Sequence, residues 1–141
     1  MSETDDIDAI RERRRQELLQ SSAGDGTDDR TGQRAPDEPV HVGSKAELEQ
    51  LAATHRIVLA DFYADWCGPC KMLEPTVREI AQKTEAAVAK VDVDALPGLA
   101  QELRVQGVPS LFLYVDGEPV KRLVGVQDYG TLSSLVEQYA G

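Results

Sequence analysis

The chain is poor in three things, and each shortage excludes a class of function. It holds two cysteines and two histidines in 141 residues. A structural zinc site wants four ligands, so it would need Cys67, Cys70, His41 and His55 together, and neither histidine is spaced like a finger ligand. No apolar run approaches the ~20 residues of a membrane-spanning helix. Positive charge is also scarce. Lys plus Arg is 15 against 25 Asp plus Glu, a net charge of −10. Phosphate affinity rests on accumulated positive charge, so a general nucleic-acid binder is excluded, and so is a binder of anionic membrane surfaces. Arginine outnumbers lysine ten to five, and this acid-rich balance is compatible with a salt-adapted source.

Large apolar residues are missing from one stretch altogether. Residues 21–39 read SSAGDGTDDRTGQRAPDEP. Such a segment cannot bury enough surface to offset its ordering entropy, so a flexible linker is expected. Before it, residues 5–20 hold good helix formers, but Arg14 interrupts any apolar stripe through Ile7, Ile10, Leu18 and Leu19. A marginal short helix over 5–20 is expected there. The run Arg13-Arg14-Arg15 reads as a solvated charged face, because residues 1–39 carry 6 basic against 11 acidic side chains. The start of the chain is acidic and then arginine-rich, with no apolar core of a secretory signal, so a cytoplasmic location is expected. The domain division expected is therefore a flexible acidic extension over 1–39 and one folded domain over 40–141.

From residue 40 the pattern is orderly. Residues 40–42 suit a short strand. Ser44 followed by Glu47 is a capping-box pattern opening a helix to about residue 54. Residues 56–64 (RIVLADFYA) form a nearly continuous apolar run, as expected of a strand buried on both faces. A helix follows over 67–83, with Pro75 interrupting it. A second buried strand is expected over 87–92 and a short helix over 96–104. Strands over 110–115 and 119–124 are joined by Asp116-Gly117, a hairpin signal, and a last helix covers 128–139. Helices alternating with strands, then a hairpin and a closing helix, give an α/β fold with a mixed central β-sheet and helices on both faces.

The chemistry concentrates in Trp66-Cys67-Gly68-Pro69-Cys70-Lys71. Cysteines three apart can close into a disulfide and reopen, carrying two electrons and two protons. Cys67 falls where a buried strand gives way to a helix. A helix N-terminus carries about half a positive charge and free N–H groups, which favour a thiolate over a thiol. Cys67 is thus the candidate nucleophile toward a substrate disulfide. Cys70, one turn on, is the candidate resolving thiol. A purely structural bridge is the alternative, but so small a loop adds little stability. Asp61 lies inside the buried run, where a carboxylate is held protonated by a raised pKa. It is a candidate acid/base for the Cys70 proton, with a cap at a strand end as the alternative. Pro69 suits a first helical turn.

Residues 40–141 resemble the thioredoxin family along their whole length. The resemblance rests on Asp61-Phe62-Tyr63-Ala64, the WCGPCK run, Val91-Asp92-Val93-Asp94, Gly107-Val108-Pro109, Asp116-Gly117 and Gly125. It implies the thioredoxin fold, protein-disulfide reduction as a dithiol electron carrier, and a part in cell redox homeostasis. It also implies no bound cofactor, disulfide-containing proteins as substrates, and a separate flavin-dependent thioredoxin reductase as electron source; a monomer is the default expectation. Lys90 resembles the family lysine beside the buried aspartate, with an exposed strand lysine as the alternative. The Val108–Pro109 bond is expected to be cis on the resemblance alone. Trp66, Gly68, Pro69, Val108, Pro109, Gly125 and Val126 are then the candidate substrate-contact patch, with a core tryptophan as the alternative for Trp66. Tyr63 and Ser110 stand where the family often has tryptophan and threonine. The Gly-Pro pair between the cysteines resembles the reducing members. A binding module using the same patch, with incidental redox chemistry, is the rival reading.

Overall fold

In the computed structural model, residues 35–140 are described. The expectations for the linker up to residue 34, the helix over 5–20 and the arginine run lie outside them. The described elements run β1 (Val40–His41), α1 (Lys45–Thr54), β2 (Ile57–Tyr63), α2 (Gly68–Lys83), β3 (Ala87–Asp92), α3 (Pro97–Glu102), β4 (Ser110–Val115), β5 (Glu118–Val124) and α4 (Tyr129–Ala140). The sheet order is β1-β3-β2-β4-β5, with β2 in the centre. β1 and β2 pair parallel to β3, while β4 lies antiparallel to both β2 and β5.

The continuous apolar run forms β2 because both of its faces are covered. Strand side chains alternate between faces. Val58, Ala60 and Phe62 face a layer containing Leu48 and Ala52 of α1 and Leu99 of α3, and Ala35 packs against its edge. Ile57 and Leu59 face Leu73, Val77 and Ile80 of α2 and Leu132 and Val136 of α4. Phe62 is fully buried and meets Phe112 edge-on, ring centroids 5.2 Å apart. Burying such a side chain contributes roughly 1.5–3 kcal/mol. This parity places Asp61 on the α2 face, with Ile57 and Leu59.

Local signals explain the element ends. Ser44 Oγ accepts the Glu47 N–H at 3.1 Å, but the Glu47 carboxylate reaches past Ser44 to the Gly43 N–H at 2.6 Å. The box therefore closes one residue earlier than the pattern implies. Asp116 (φ 54°) and Gly117 (φ 88°) both take the left-handed conformation that a two-residue hairpin turn requires. α2 continues through the exposed Pro75 without a break, so the expected interruption is limited to one missing backbone hydrogen bond. α3 ends at Glu102, two residues sooner than expected. Arg104 turns left-handed (φ 59°), its N–H bonds the Gln101 carbonyl at 3.0 Å, and the Val105 N–H bonds the Ala100 carbonyl at 2.8 Å. That pair of bonds is a Schellman stop built without glycine. Among the described residues no helix is long and apolar enough to cross a membrane.

Candidate active site

β2 ends at Tyr63, and the chain turns so that the Cys67 N–H bonds the Ala64 carbonyl at 3.2 Å. Cys67 is the N-cap of α2, with extended backbone angles, and its Sγ accepts the Cys70 N–H at 3.1 Å. A sulfur thus takes the place of the oxygen that usually caps a helix. Pro69 lies in the first turn, where its missing N–H would have no partner anyway. Cys67 and Cys70 are joined as a disulfide with Cα atoms 5.3 Å apart. Both are buried among Ala64, Tyr63, Val93 and Val108.

The Val108–Pro109 peptide is cis, as the resemblance implies. The Val108 carbonyl oxygen lies 3.7 Å from Cys67 Sγ. A disulfide sulfur has no proton to donate, so this is a van der Waals contact here and a thiol hydrogen bond only in the dithiol. The Gly125 N–H bonds the Pro109 carbonyl at 2.9 Å, which ties the Gly125–Val126 turn to the same loop. Gly125 has φ 95°, a conformation open to glycine. Trp66 is not a core residue. It is 72% exposed, and its Nε1–H donates to Asp94 Oδ2 at 2.9 Å. Gly68 and Pro69 are also exposed, and Val126 stands 44% exposed.

Beneath α2, the pleat sets Asp61 beside Lys90 in register across β2 and β3. The Lys90 ammonium is 3.9 Å from Asp61 Oδ2, within ion-pair reach but beyond a hydrogen bond. Neither Asp61 carboxyl oxygen has a hydrogen-bond partner among the described residues. Burial pushes the Asp61 carboxyl up to about 6; Lys90 pulls it down and Glu74 pushes it up. Asp61 lies mid-strand and fully buried, not at a strand end, and Lys90 is buried rather than exposed. Lys90 also sits over the Tyr63 ring, 4.2 Å from its centroid. The histidines lie elsewhere: His41 packs edge-on against Tyr63, and His55 caps the end of α1.

Direct contacts join Cys67 to Cys70 and Val108, Pro109 to Gly125, and Asp61 to Lys90. Sequence reasoning missed Glu74, which accepts from Lys90 at 3.4 Å, and Asp94, which holds the Trp66 indole. The i,i+4 spacing of Cys70 and Glu74 put that carboxylate on the cysteine face of α2 and was the available signal. Asp94 is joined to Trp66 only by the fold.

The family model described as Thioredoxin matches residues 39–138. A thioredoxin of Mycobacterium bovis is 46% identical over 84 residues, covering 58% of this chain and 72% of its own length. A bifunctional thioredoxin reductase/thioredoxin of Mycobacterium leprae is 40% identical over 95 residues, which are 66% of this chain but 21% of that longer protein. Among solved structures, a mutant thioredoxin of Halobacterium salinarum is similar with TM-score 0.75 and 50% identity, over 77% of this chain and 96% of that one.

Proposed function

The chain belongs to the thioredoxin family and is a disulfide oxidoreductase, and from that premise we propose that it reduces disulfides in cytoplasmic proteins through Cys67 and Cys70. The observation that carries the reading is the Cys70 N–H aimed at Cys67 Sγ from the first turn of α2. In the dithiol, that N–H and the helix end hold negative charge on Cys67. The Cys67 thiolate attacks one sulfur of the substrate disulfide. An S–S bond to Cys67 forms, the substrate bond breaks, and one substrate thiolate leaves. Cys70 then gives its proton to the Asp61 carboxylate and attacks Cys67 Sγ. This closes the Cys67–Cys70 disulfide and expels the second substrate thiolate. The substrate gains two electrons and the protein loses two. Lys90 steadies Asp61 while it is charged.

The exposed Trp66, Gly68, Pro69 and Val126, with the part-buried Val108 and Gly125, form the substrate-contact face; Pro109 is buried and joins it through the cis bond to Val108. A Cβ at Gly68 would meet nothing within 4 Å, so that side of the disulfide stands open to a partner. Val108 offers backbone groups to an extended substrate segment, as in strand addition. Electrons return from a thioredoxin reductase, an assignment supported by the reductase fused to the Mycobacterium leprae relative. The protein acts as a monomer.

The test is insulin disulfide reduction with a dithiol donor, over a range of salt, beside Cys67→Ser. Acceleration by the native protein and none by the variant is the expected result. No acceleration by folded protein at any salt would move the reading to the binding module.

A further inference from the structure

Glu74 stands one turn beyond Cys70 on α2, and the mechanism above gives it no part. Its Oε2 accepts from the Lys90 ammonium at 3.4 Å, closer than Asp61 Oδ2 at 3.9 Å. One cation therefore lies between two carboxyl groups of different kinds. The Asp61 side chain is 1% exposed and the Glu74 side chain 46% exposed. A cleft of about 140 Å³ opens on the Glu74 side, lined by Glu38, His41, Glu74, Arg78 and Lys90, and Asp61 is not part of its lining. Solvent meets the Lys90–Glu74 pair while the Asp61 carboxyl stays dry.

We propose that Glu74 is a positioning residue for the proton on Asp61: by holding Lys90 at the cleft, it denies Asp61 a close cation and so makes that carboxylate a stronger base toward Cys70. The inference rests on the reading of Asp61 as the acid/base. A cation at hydrogen-bond distance would favour the Asp61 carboxylate strongly in so dry a place, and one drawn toward a competitor favours it less. The like charge of Glu74 acts in the same direction. The other polar groups facing Lys90 do not replace Glu74. Tyr63 of β2 offers a ring face, His41 comes from β1 and Glu38 from the segment before it, Arg78 is a further cation of α2, and Asp92 ends β3. The half-exposed position of Glu74 leaves the buried core untouched by substitution there.

Two substitutions separate holding Lys90 from mere negative charge. Glu74→Gln removes the charge. Glu74→Asp keeps the charge but shortens the side chain by a methylene, withdrawing it from Lys90. The readout is the titration of the Asp61 carboxyl carbon by nuclear magnetic resonance in the full-length oxidised protein, in which no thiol titrates. In Glu74→Gln the Asp61 midpoint is expected to fall by about one pH unit, with Glu74→Asp falling by more than half as much. A midpoint within about 0.2 unit of native in Glu74→Gln overturns the proposal. So does a Glu74→Asp midpoint that stays native while Glu74→Gln shifts, since charge alone would then suffice. The titration involves no turnover. If the midpoint falls and the pH profile of disulfide reduction does not follow it, the role given to Asp61 fails while the Glu74 coupling stands.

Discussion

The backbone N–H of Cys70 points at the sulfur of Cys67 across 3.1 Å, so Cys67 caps the helix that carries Cys70. This follows from one helix turn: the residue three beyond an N-cap supplies the amide that the cap accepts. Charge on Cys67 is thereby favoured. In the reduced protein the Cys67 thiol is expected to titrate below the ~8.5 of a free cysteine. Thiolate absorbance followed against pH, with Cys67→Ser as the blank, checks this. A first thiolate appearing only above that value would remove the basis for assigning the nucleophile.

Asp61 ties the site to stability. Its carboxyl titrates at about 6 in the folded chain against an ordinary value of 3.8. The folded state therefore binds the proton more tightly than the unfolded state. Its contribution is full below about pH 4 and is lost as pH rises through about 6, so Asp61 destabilises the fold increasingly over that window. Asp61→Asn cannot ionise and escapes the loss. The stability difference, variant minus native, should grow by on the order of 3 kcal/mol between about pH 4 and about pH 7.5. Urea unfolding of the oxidised proteins measures it. The slope is diagnostic whatever the offset from leaving Lys90 without Asp61. A flat difference would mean that burial does not hold the proton on Asp61.

Trp66 is the single tryptophan of the chain, which makes its bond to Asp94 observable. Asp94→Ala should lower the fluorescence anisotropy of Trp66 and raise KM for a protein disulfide a few-fold. Stability should change by less than about 1 kcal/mol, because the bond lies on the surface. Unchanged anisotropy would show that the indole is held by its packing alone.

Much of this was legible in the sequence because local and global demands agree. The run through residues 56–64 had to be a doubly covered strand, Ser44 had to cap a helix, and Asp116-Gly117 had to turn a hairpin. A carboxylate inside that run marked Asp61 as unusual before any contact was known. What stayed hidden depends on the third dimension. Arg104 ends α3 in a conformation that glycine usually takes, and the stop comes from bonds back to Ala100 and Gln101 that no composition rule signals. Glu74 reads as a helix-surface acid until β3 brings Lys90 beneath it. Asp94 and Trp66 are 28 positions apart. Pro75 reads as a breaker, yet packing of Leu73, Val77 and Ile80 against the sheet holds α2 together through it.

Trapping decides whether Cys67 attacks and Cys70 resolves. Cys70→Ser, reduced and mixed with a disulfide-containing protein, is expected to accumulate a mixed disulfide that peptide mapping places on Cys67. Cys67→Ser under the same conditions should accumulate little, because the amide at the helix start favours a thiolate on Cys67 and not on Cys70. An adduct that forms equally in both variants, or that maps to Cys70 alone, would contradict the assignment.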